Sequence, residues 1–306
     1  MNSYALATPL VLGLLAVAVP LDSTALLNKL TDWTLRRQGL LGERVAAQPY
    51  GTAVRQQADV YFPPDTLDKP AGGWPMVVFF YGGSWRSGER GDYAFVGRSL
   101  AARGVVVVVA DYRLYPEVRY PEFIEDSAQA VAWAWHRAGE WGVNRRRVFV
   151  MGHSAGAYNA SMVALDARWL APHGLQPSVL AGFIGLAGPY NFLPLRVDSL
   201  KPVFGYPQTP ADSQPVVHAS ASAPPSWLFT AAADSFVSPT LNTDSLAFRL
   251  RSVGASVETR TMPRTSHVTL VASMAAPIGW LSPVLDEVSG IVVGEAQVAP
   301  TLLTQE

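Results

Sequence analysis

Cysteine is absent from this chain of 306 residues. That excludes disulfides, thiol nucleophiles, thiolate metal ligands and lipid modification of an N-terminal cysteine. Charge is also scarce. Only 15% of residues are Asp, Glu, Lys or Arg, and 23 basic residues against 24 acidic give a formal net charge of -1. Such a balance provides no electrostatic footprint for nucleic acid, and no acidic tail. The one basic run, Arg145-Arg146-Arg147, precedes a strand and reads as a solvated edge. No repeat and no low-complexity linker breaks the chain. Apolar material is plentiful, at 49% of residues, enough for one large core at this length.

The N-terminus is the least polar part. "YALATPLVLGLLAVAVPL" has signal-peptide length, and Ala16-Val17-Ala18 has the small-x-small form of a cleavage site. The first basic residue is Lys29, so the usual positive flank is missing, and the run is marginal for a spanning helix of about 20 residues. Residues 1–21 are therefore read as an export signal or membrane anchor, with an apolar helix lying on the folded body as the alternative. The matching localisation is exported or membrane-associated, with cytoplasmic as the alternative. Residues 22–49 read as a helical segment, with Leu26, Leu30 and Trp33 at helical spacing behind an Asp/Ser cap.

From residue 50 the pattern becomes regular. "RQQADVYFPP" alternates like an early strand, and "MVVFFY" and "GVVVVVADY" are buried strands. "PEFIEDSAQAVAWAWHRAGEWG" repeats apolar residues at Ile124, Ala128, Val131 and Trp135, as a helix does. The strand "RVFVMG" leads into the helix "AGAYNASMVALDARW". Strands "VLAGFIGLA", "SWLFTAAA" and "SVETRTM" follow, with helices expected over Thr240–Ser252 and Ala275–Glu287. Strands apolar on both faces and separated by helices imply an α/β fold with a mostly parallel central sheet and helices on both faces. The Pro-rich stretch Leu193–Pro225 is too short for a large cap domain and reads as a loop at a pocket rim. One catalytic-size domain over 50–290 and a tail over 291–306 complete the organisation.

Chemistry concentrates in four places. Gly152-His153-Ser154-Ala155-Gly156 lies between a buried strand and a helix. Alone, that G-x-S-x-G pattern arises by chance in roughly one chain in ten of this length. Its context suits a nucleophile elbow: the glycines relieve a sharp turn, and the Ala155 N–H opens a helix whose dipole favours an anion. A serine hydroxyl needs a base to take its proton. Of five histidines, His153 adjoins the serine and reads as packing. His136 lies late in a helix, and His173 and His218 lie in irregular Pro-containing segments. His267, in the loop after the last strand, is the candidate base. Asp234, directly after "SWLFTAAA", is the candidate orienting acid; a helix cap is its other reading, and Asp244 is the reserve. In "FFYGGSWRSG", the backbone of Gly82, Gly83 and Ser84 can turn N–H groups, with that of Ala155, toward an oxyanion. Tyr81 and Trp85 are candidates for shaping an acyl pocket or for packing against the elbow.

These pieces, "YGGSW", "ADYRLYPEVRYPEFIEDSAQAVAW", "GHSAG", "AAADSFVSP" and "TSH", occur in the order and spacing of a known family. The chain resembles α/β-hydrolases of the carboxylesterase and hormone-sensitive-lipase-like group, and is especially similar to bacterial esterases with an HGGxW oxyanion loop, the group that includes kynurenine formamidases. The resemblance covers roughly residues 50–287. It implies a carboxylic ester hydrolase with Ser154, His267 and Asp234 as catalytic triad, a small-molecule ester as substrate, and no metal or cofactor. Arylformamide hydrolysis with the same triad is the alternative, and a non-catalytic binding protein of this fold the more distant one. Tyr81 stands where the family more often has His, which puts the hydrogen bonding of the loop in question.

Overall fold

The run Val105–Val109 sets the architecture. Five β-branched side chains in succession favour extended backbone and leave no polar face, so the strand they build must be covered on both sides. In a computed structural model, which describes residues 21–294, this run lies inside an eight-stranded sheet. The strands are β1 (Arg44–Pro49), β2 (Gln57–Tyr61), β3 (Trp74–Phe80), β4 (Val106–Ala110), β5 (Val143–His153), β6 (Gly182–Leu186), β7 (Ser226–Ala233) and β8 (Val257–Ser266). Their spatial order is β1-β2-β4-β3-β5-β6-β7-β8. The β1–β2 and β2–β4 pairs are antiparallel, and all others are parallel. The expected mostly parallel sheet is what the chain forms.

The helices are α1 (Leu21–Arg37), α2 (Ala94–Ala101), α3 (Glu122–Arg137), α4 (Ala155–Leu165), α5 (Ala167–Leu170), α6 (Ser245–Ser252), α7 (His267–Ala272) and α8 (Val284–Val293). The connection β3–α2–β4 steps one way across the sheet, whereas β4–α3–β5 and β5–α4–β6 step the other way. Right-handed crossovers in opposite directions put their helices on opposite faces. Neighbouring strands β3 and β5 therefore send their chains apart, and a crevice opens beyond their carboxyl ends. The segment after β3 is Tyr81–Gly88 and the residue after β5 is Ser154, so both motifs border that crevice.

Helix α4 is buried along its whole length. It has no polar face because it is packed on β3, β5 and β6 beneath and on α3 and α5 at its sides.

Several elements depart from the sequence reading. β1 was not expected: "RVAAQP" carries almost no apolar signal, and the strand is an outer edge. A bulge between Val45 and Gln48 shapes it, with Ala47 at φ 54 and its N–H donated to Asp59 Oδ1 at 2.8 Å. The helix expected over Ala275–Glu287 is instead a 3-10 turn (Ala276–Leu281) and then α8, which continues to Val293. Pro277 and Pro283 each start a new segment there rather than continuing the previous one. In α1, Leu26, Leu30 and Trp33 face outward, and the inner face is Thr24, Thr31 and Leu35. At the far edge, β8 carries Glu258, Arg260 and Pro263, and Arg264 has a φ of 58. Between Leu193 and Pro225 the chain forms loops with short 3-10 turns and no strand. The apolar run 1–20 and residues 295–306 lie outside the described residues. Among the described residues, no helix is long and apolar enough to cross a membrane.

Ile184 is fully buried in β6, between β5 and β7. Replacing it by alanine removes buried methyl groups and leaves a cavity that a close-packed sheet fills poorly. Ile184→Ala should lose about 2–5 kcal/mol of unfolding free energy, measured by urea denaturation.

Candidate active site

Ser154 is the residue at which β5 becomes α4, and its backbone is held at φ 54, ψ -123. That region is strained for a residue with a Cβ and persists only when the surroundings impose it. The surroundings are unusually close. A Cβ on Gly156 would lie 2.0 Å from the Phe80 carbonyl oxygen, and one on Gly152 2.2 Å from the Gly156 carbonyl oxygen. The start of α4 thus presses directly on β3 and on the end of β5, and only hydrogen fits between. The Ser154 N–H is donated to Leu186 O on the neighbouring strand at 2.9 Å, while its carbonyl accepts from Ala157 and Tyr158 and begins the helix.

His267 reaches the serine from the other side. It is the first residue of α7, a short helix capped by Ser266, rather than part of a loop. The β7–β8 pairing extends to Ala233↔Ser266, which carries His267 to the same sheet edge as Ser154. Its Nε2 lies 2.8 Å from Ser154 Oγ, and its Nδ1 lies 2.8 Å from Asp234 Oδ2. The Asp234 side chain is only 1% exposed. Its Oδ1 accepts the N–H groups of Phe236 and Val237, both at 2.9 Å, so the carboxylate closes its own turn while facing the imidazole. Burial pushes the Asp234 pKa up, but the His267 hydrogen bond and charge and the two backbone donors outweigh it and hold the group below its ordinary value. Asp234 is therefore ionised at neutral pH. Asp244, the reserve, lies in the turn before α6.

Gly82 brings the third component against the serine. A Cβ there would sit 2.9 Å from the Ser154 Cβ. The following residues run through unusual backbone, with Gly83 at φ 127, Ser84 at 54 and Trp85 at 58. The backbone of Gly82 is engaged by the Tyr93 phenol. Among the described residues, the N–H groups of Gly83, Ser84 and Ala155 have no intramolecular acceptor.

Tyr81 and Trp85 do not line an open pocket. Both are buried, with 0% and 1% exposure. Tyr81 stacks between Tyr93 and Tyr112, donates to Asp111 Oδ1 at 2.7 Å and accepts from Arg55 at 2.7 Å. Arg55 also donates to Gly88 O at 2.7 Å, so one guanidinium ties both ends of the Tyr81–Gly88 segment. Arg90 joins the same Asp111 and links it to Asp59. Trp85 donates its indole N–H to Asn159 Oδ1 at 2.8 Å and packs among Phe123, Tyr158 and Phe204. The aromatic ring that does stand at the mouth is Phe236, 41% exposed and 5.4 Å from the His267 ring. Arg55, Asp59, Arg90 and Asp111 were not singled out from sequence. Only Asp111, which follows five valines and Ala110, carried a local signal: a carboxylate ending a buried strand needs a cationic partner. A recess of about 530 Å³ lined by Glu43, Phe62, Lys69, Trp74, Arg137 and Trp141 lies where β3 and β5 begin, at the opposite sheet edge from Ser154.

His153 is buried, 4% exposed, with its ring 4.9 Å from that of His267. Its Nε2–H is donated to the His267 carbonyl at 2.9 Å, and its Nδ1 has no partner. Burial first, then the neighbouring His267, lower its pKa to about 3. A base with a depressed folded pKa takes its proton more readily in the unfolded chain. Its contribution to stability is thus complete above the unfolded value of about 6.5 and declines on acidification toward the folded value. Between those limits, wild-type stability should fall by up to about 1.4 kcal/mol per pH unit from this residue, and His153→Gln should lack that component in urea titrations run across pH.

Residues 58–192 match the BD-FAE family. The chain is 32% identical over 146 residues to a probable isoprenylcysteine alpha-carbonyl methylesterase, ICME, of Oryza sativa subsp. japonica, an alignment covering 46% of this chain and 34% of that protein. It is 33% identical over 227 residues to esterase LipC of Mycobacterium tuberculosis, covering 68% and 55%. The chain thus spans between a third and little more than half of these relatives. Among solved structures, a carbohydrate esterase from gut microbiota superposes with a TM-score of 0.69 at 13% identity, over 85% of this chain and 98% of that one. Esterase B of Lactobacillus rhamnosis gives 0.68 at 19% identity, over 90% and 96%. With its strand order, its strained serine between β5 and α4, and these structural likenesses, the chain has the α/β-hydrolase fold.

Proposed function

We propose that this chain hydrolyses carboxylic esters through an acyl-enzyme formed on Ser154. The observation that carries the reading is the hydrogen-bonded series Asp234–His267–Ser154, with both contacts at 2.8 Å. Neutral His267 donates Nδ1–H to the ionised Asp234, which leaves Nε2 bare toward the serine hydroxyl. As Ser154 Oγ attacks the acyl carbonyl, Nε2 takes the hydroxyl proton, and the imidazolium formed keeps its other N–H on Asp234. The carbonyl oxygen becomes an oxyanion against the N–H groups of Gly83, Ser84 and Ala155. Collapse breaks the bond to the alcohol, which leaves with the Nε2 proton. Water, deprotonated by the same nitrogen, then releases the acid and restores the serine.

Several observations support this assignment of roles. The strain at Ser154 is the kind of backbone cost that surrounding structure must sustain, and here two glycines and α4 sustain it. The oxyanion donors need no rearrangement, because Arg55 and Asp111 brace the loop that carries them. The relatives named as esterases accord with the reaction class. By this reading residues 50–290 form the catalytic unit. The absence of an inserted cap among the described residues, and the exposed Phe236 beside His267, favour small acyl groups reaching an open mouth.

Ser154→Ala should lower turnover of a p-nitrophenyl ester by about a millionfold. Asp234→Asn, which leaves the imidazole in the wrong tautomer, should lower it by about 10⁴-fold. Near-normal activity of purified Ser154→Ala would reject the mechanism. Across a series of p-nitrophenyl esters, kcat/KM should be highest for acetate and butyrate. Better turnover of long-chain esters would remove the open-mouth argument, and faster cleavage of N-formylkynurenine would move the assignment to an arylformamidase.

A further inference from the structure

Helix α1 is built inside out. Its inner face carries Thr24, Asn28, Thr31 and Asp32, with Leu35 as its one fully packed apolar side chain. Two of these polar groups are matched to the body: Asn28 donates to Gly91 O and accepts the Phe95 N–H, both at 2.8 Å, and Asp32 pairs with Arg98. The outer face carries Leu26, Leu30 and Trp33, which are 56%, 39% and 58% exposed. Their spacing of four and three residues makes one continuous stripe. A solvent-facing helix normally places such a stripe on the core, so this one is spent on something outside the described body.

The charges indicate what that is. In α1, Lys29, Arg36 and Arg37 are exposed; of its two acids, Asp22 stands at the helix start and Asp32 is turned inward to Arg98. Arg37 lies over the Trp33 ring at 5.0 Å, which places a cation at the rim of the stripe. Trp280, in the 3-10 turn packed beside α1, is 74% exposed. Leucines flanked by tryptophan and bordered by Lys and Arg suit the boundary between headgroups and acyl chains of an anionic bilayer. Residues 4–20, directly upstream, contain no charged side chain. A second protein would be expected to meet some acid of its own on this face, and a core-like partner would not need three cations around three apolar residues.

We propose that α1 lies along an anionic lipid surface, with Leu26, Leu30 and Trp33 immersed and Lys29, Arg36 and Arg37 at the phosphates. Asn28 links this surface to the chain beyond the candidate site's loop, because Gly91 and Phe95 lie three and seven residues after Gly88. Docking through α1 therefore holds that loop close to the membrane. The proposal does not depend on the ester-hydrolase reading.

The lack of native cysteine provides the test. In the full chain, Leu30→Cys accepts a single environment-sensitive fluorophore, and Ser222→Cys, on an exposed loop, serves as reference. Thermal unfolding by circular dichroism checks the fold without reference to activity. With phosphatidylglycerol-containing vesicles, the probe at position 30 should shift to the blue, brighten roughly threefold and be quenched by nitroxide-labelled lipid, while the reference probe should not. Changing Lys29, Arg36 and Arg37 together to Gln should weaken the response between about 10- and 100-fold. Vesicle capture with the position-30 probe still in water would overturn the proposal, because contact would then run through another segment. So would a blue shift without lipid that grows with protein concentration, the sign of a second copy on the stripe. Absence of any vesicle binding would overturn it as well.

Discussion

The closeness of α4 to β3 is the constraint on which the site rests. Two glycines let helix and strand approach until a single Cβ would collide with backbone oxygen at 2.0 or 2.2 Å. At that distance the chain cannot leave β5 by an ordinary helical start, and Ser154 is forced into positive φ. The same approach aims its hydroxyl above the sheet, opens a helix N-terminus at Ala155 and keeps Gly82 in contact with the serine. A polar, reactive geometry is thus held by apolar packing: the buried length of α4, and the valines and phenylalanines beneath it. Strain is local, and what sustains it is spread through the core.

A second layer of organisation is ionic. The Tyr81–Gly88 loop has few apolar contacts of its own beyond Tyr81 and Trp85, yet its backbone has to stay in unusual conformations. Arg55, Arg90, Asp59 and Asp111 form a partly buried network that meets the loop at Tyr81 and Gly88. Tyrosine at position 81 suits this arrangement. Its hydroxyl both gives a hydrogen bond to Asp111 and takes one from Arg55, and its ring stacks between two other tyrosines. The hydrogen bonding of the loop at position 81 is therefore that of a phenol, which donates and accepts at one oxygen. Buried charge is tolerated here because each group has several hydrogen-bonding partners.

The parallel sheet was legible because its strands are apolar on both faces, and periodicity reports that directly. Ser154 and Asp234 stood out for a different reason: each follows a largely buried strand, where a polar residue interrupts a hydrophobic run, whereas His267 follows the exposed edge strand β8 and stood out by its place after the last strand. The ionic brace was not legible. Arg55 lies in a loop and Arg90 in a 3-10 turn, and their partners are separated by tens of residues, a relation no local pattern carries. Edge strand β1 escaped because an edge needs little apolar character. The inward face of α1 was not legible because spacing tells which residues share a side of a helix, and cannot tell which side the body takes. Asn28 and Asp32 decided that, through Gly91, Phe95 and Arg98.

The outermost strand, β8, has one more consequence. A parallel sheet could in principle recruit a ninth strand from another molecule along its open border. Here that border displays Glu258, Arg260 and Arg264, and Pro263 lacks the amide needed for one rung of any new ladder. The twist imposed by the positive φ of Arg264 bends the rim out of register. Edge-to-edge recruitment is thereby discouraged, so the sheet's hydrophobic interior is protected from the stacking that turns strand-rich chains into fibres.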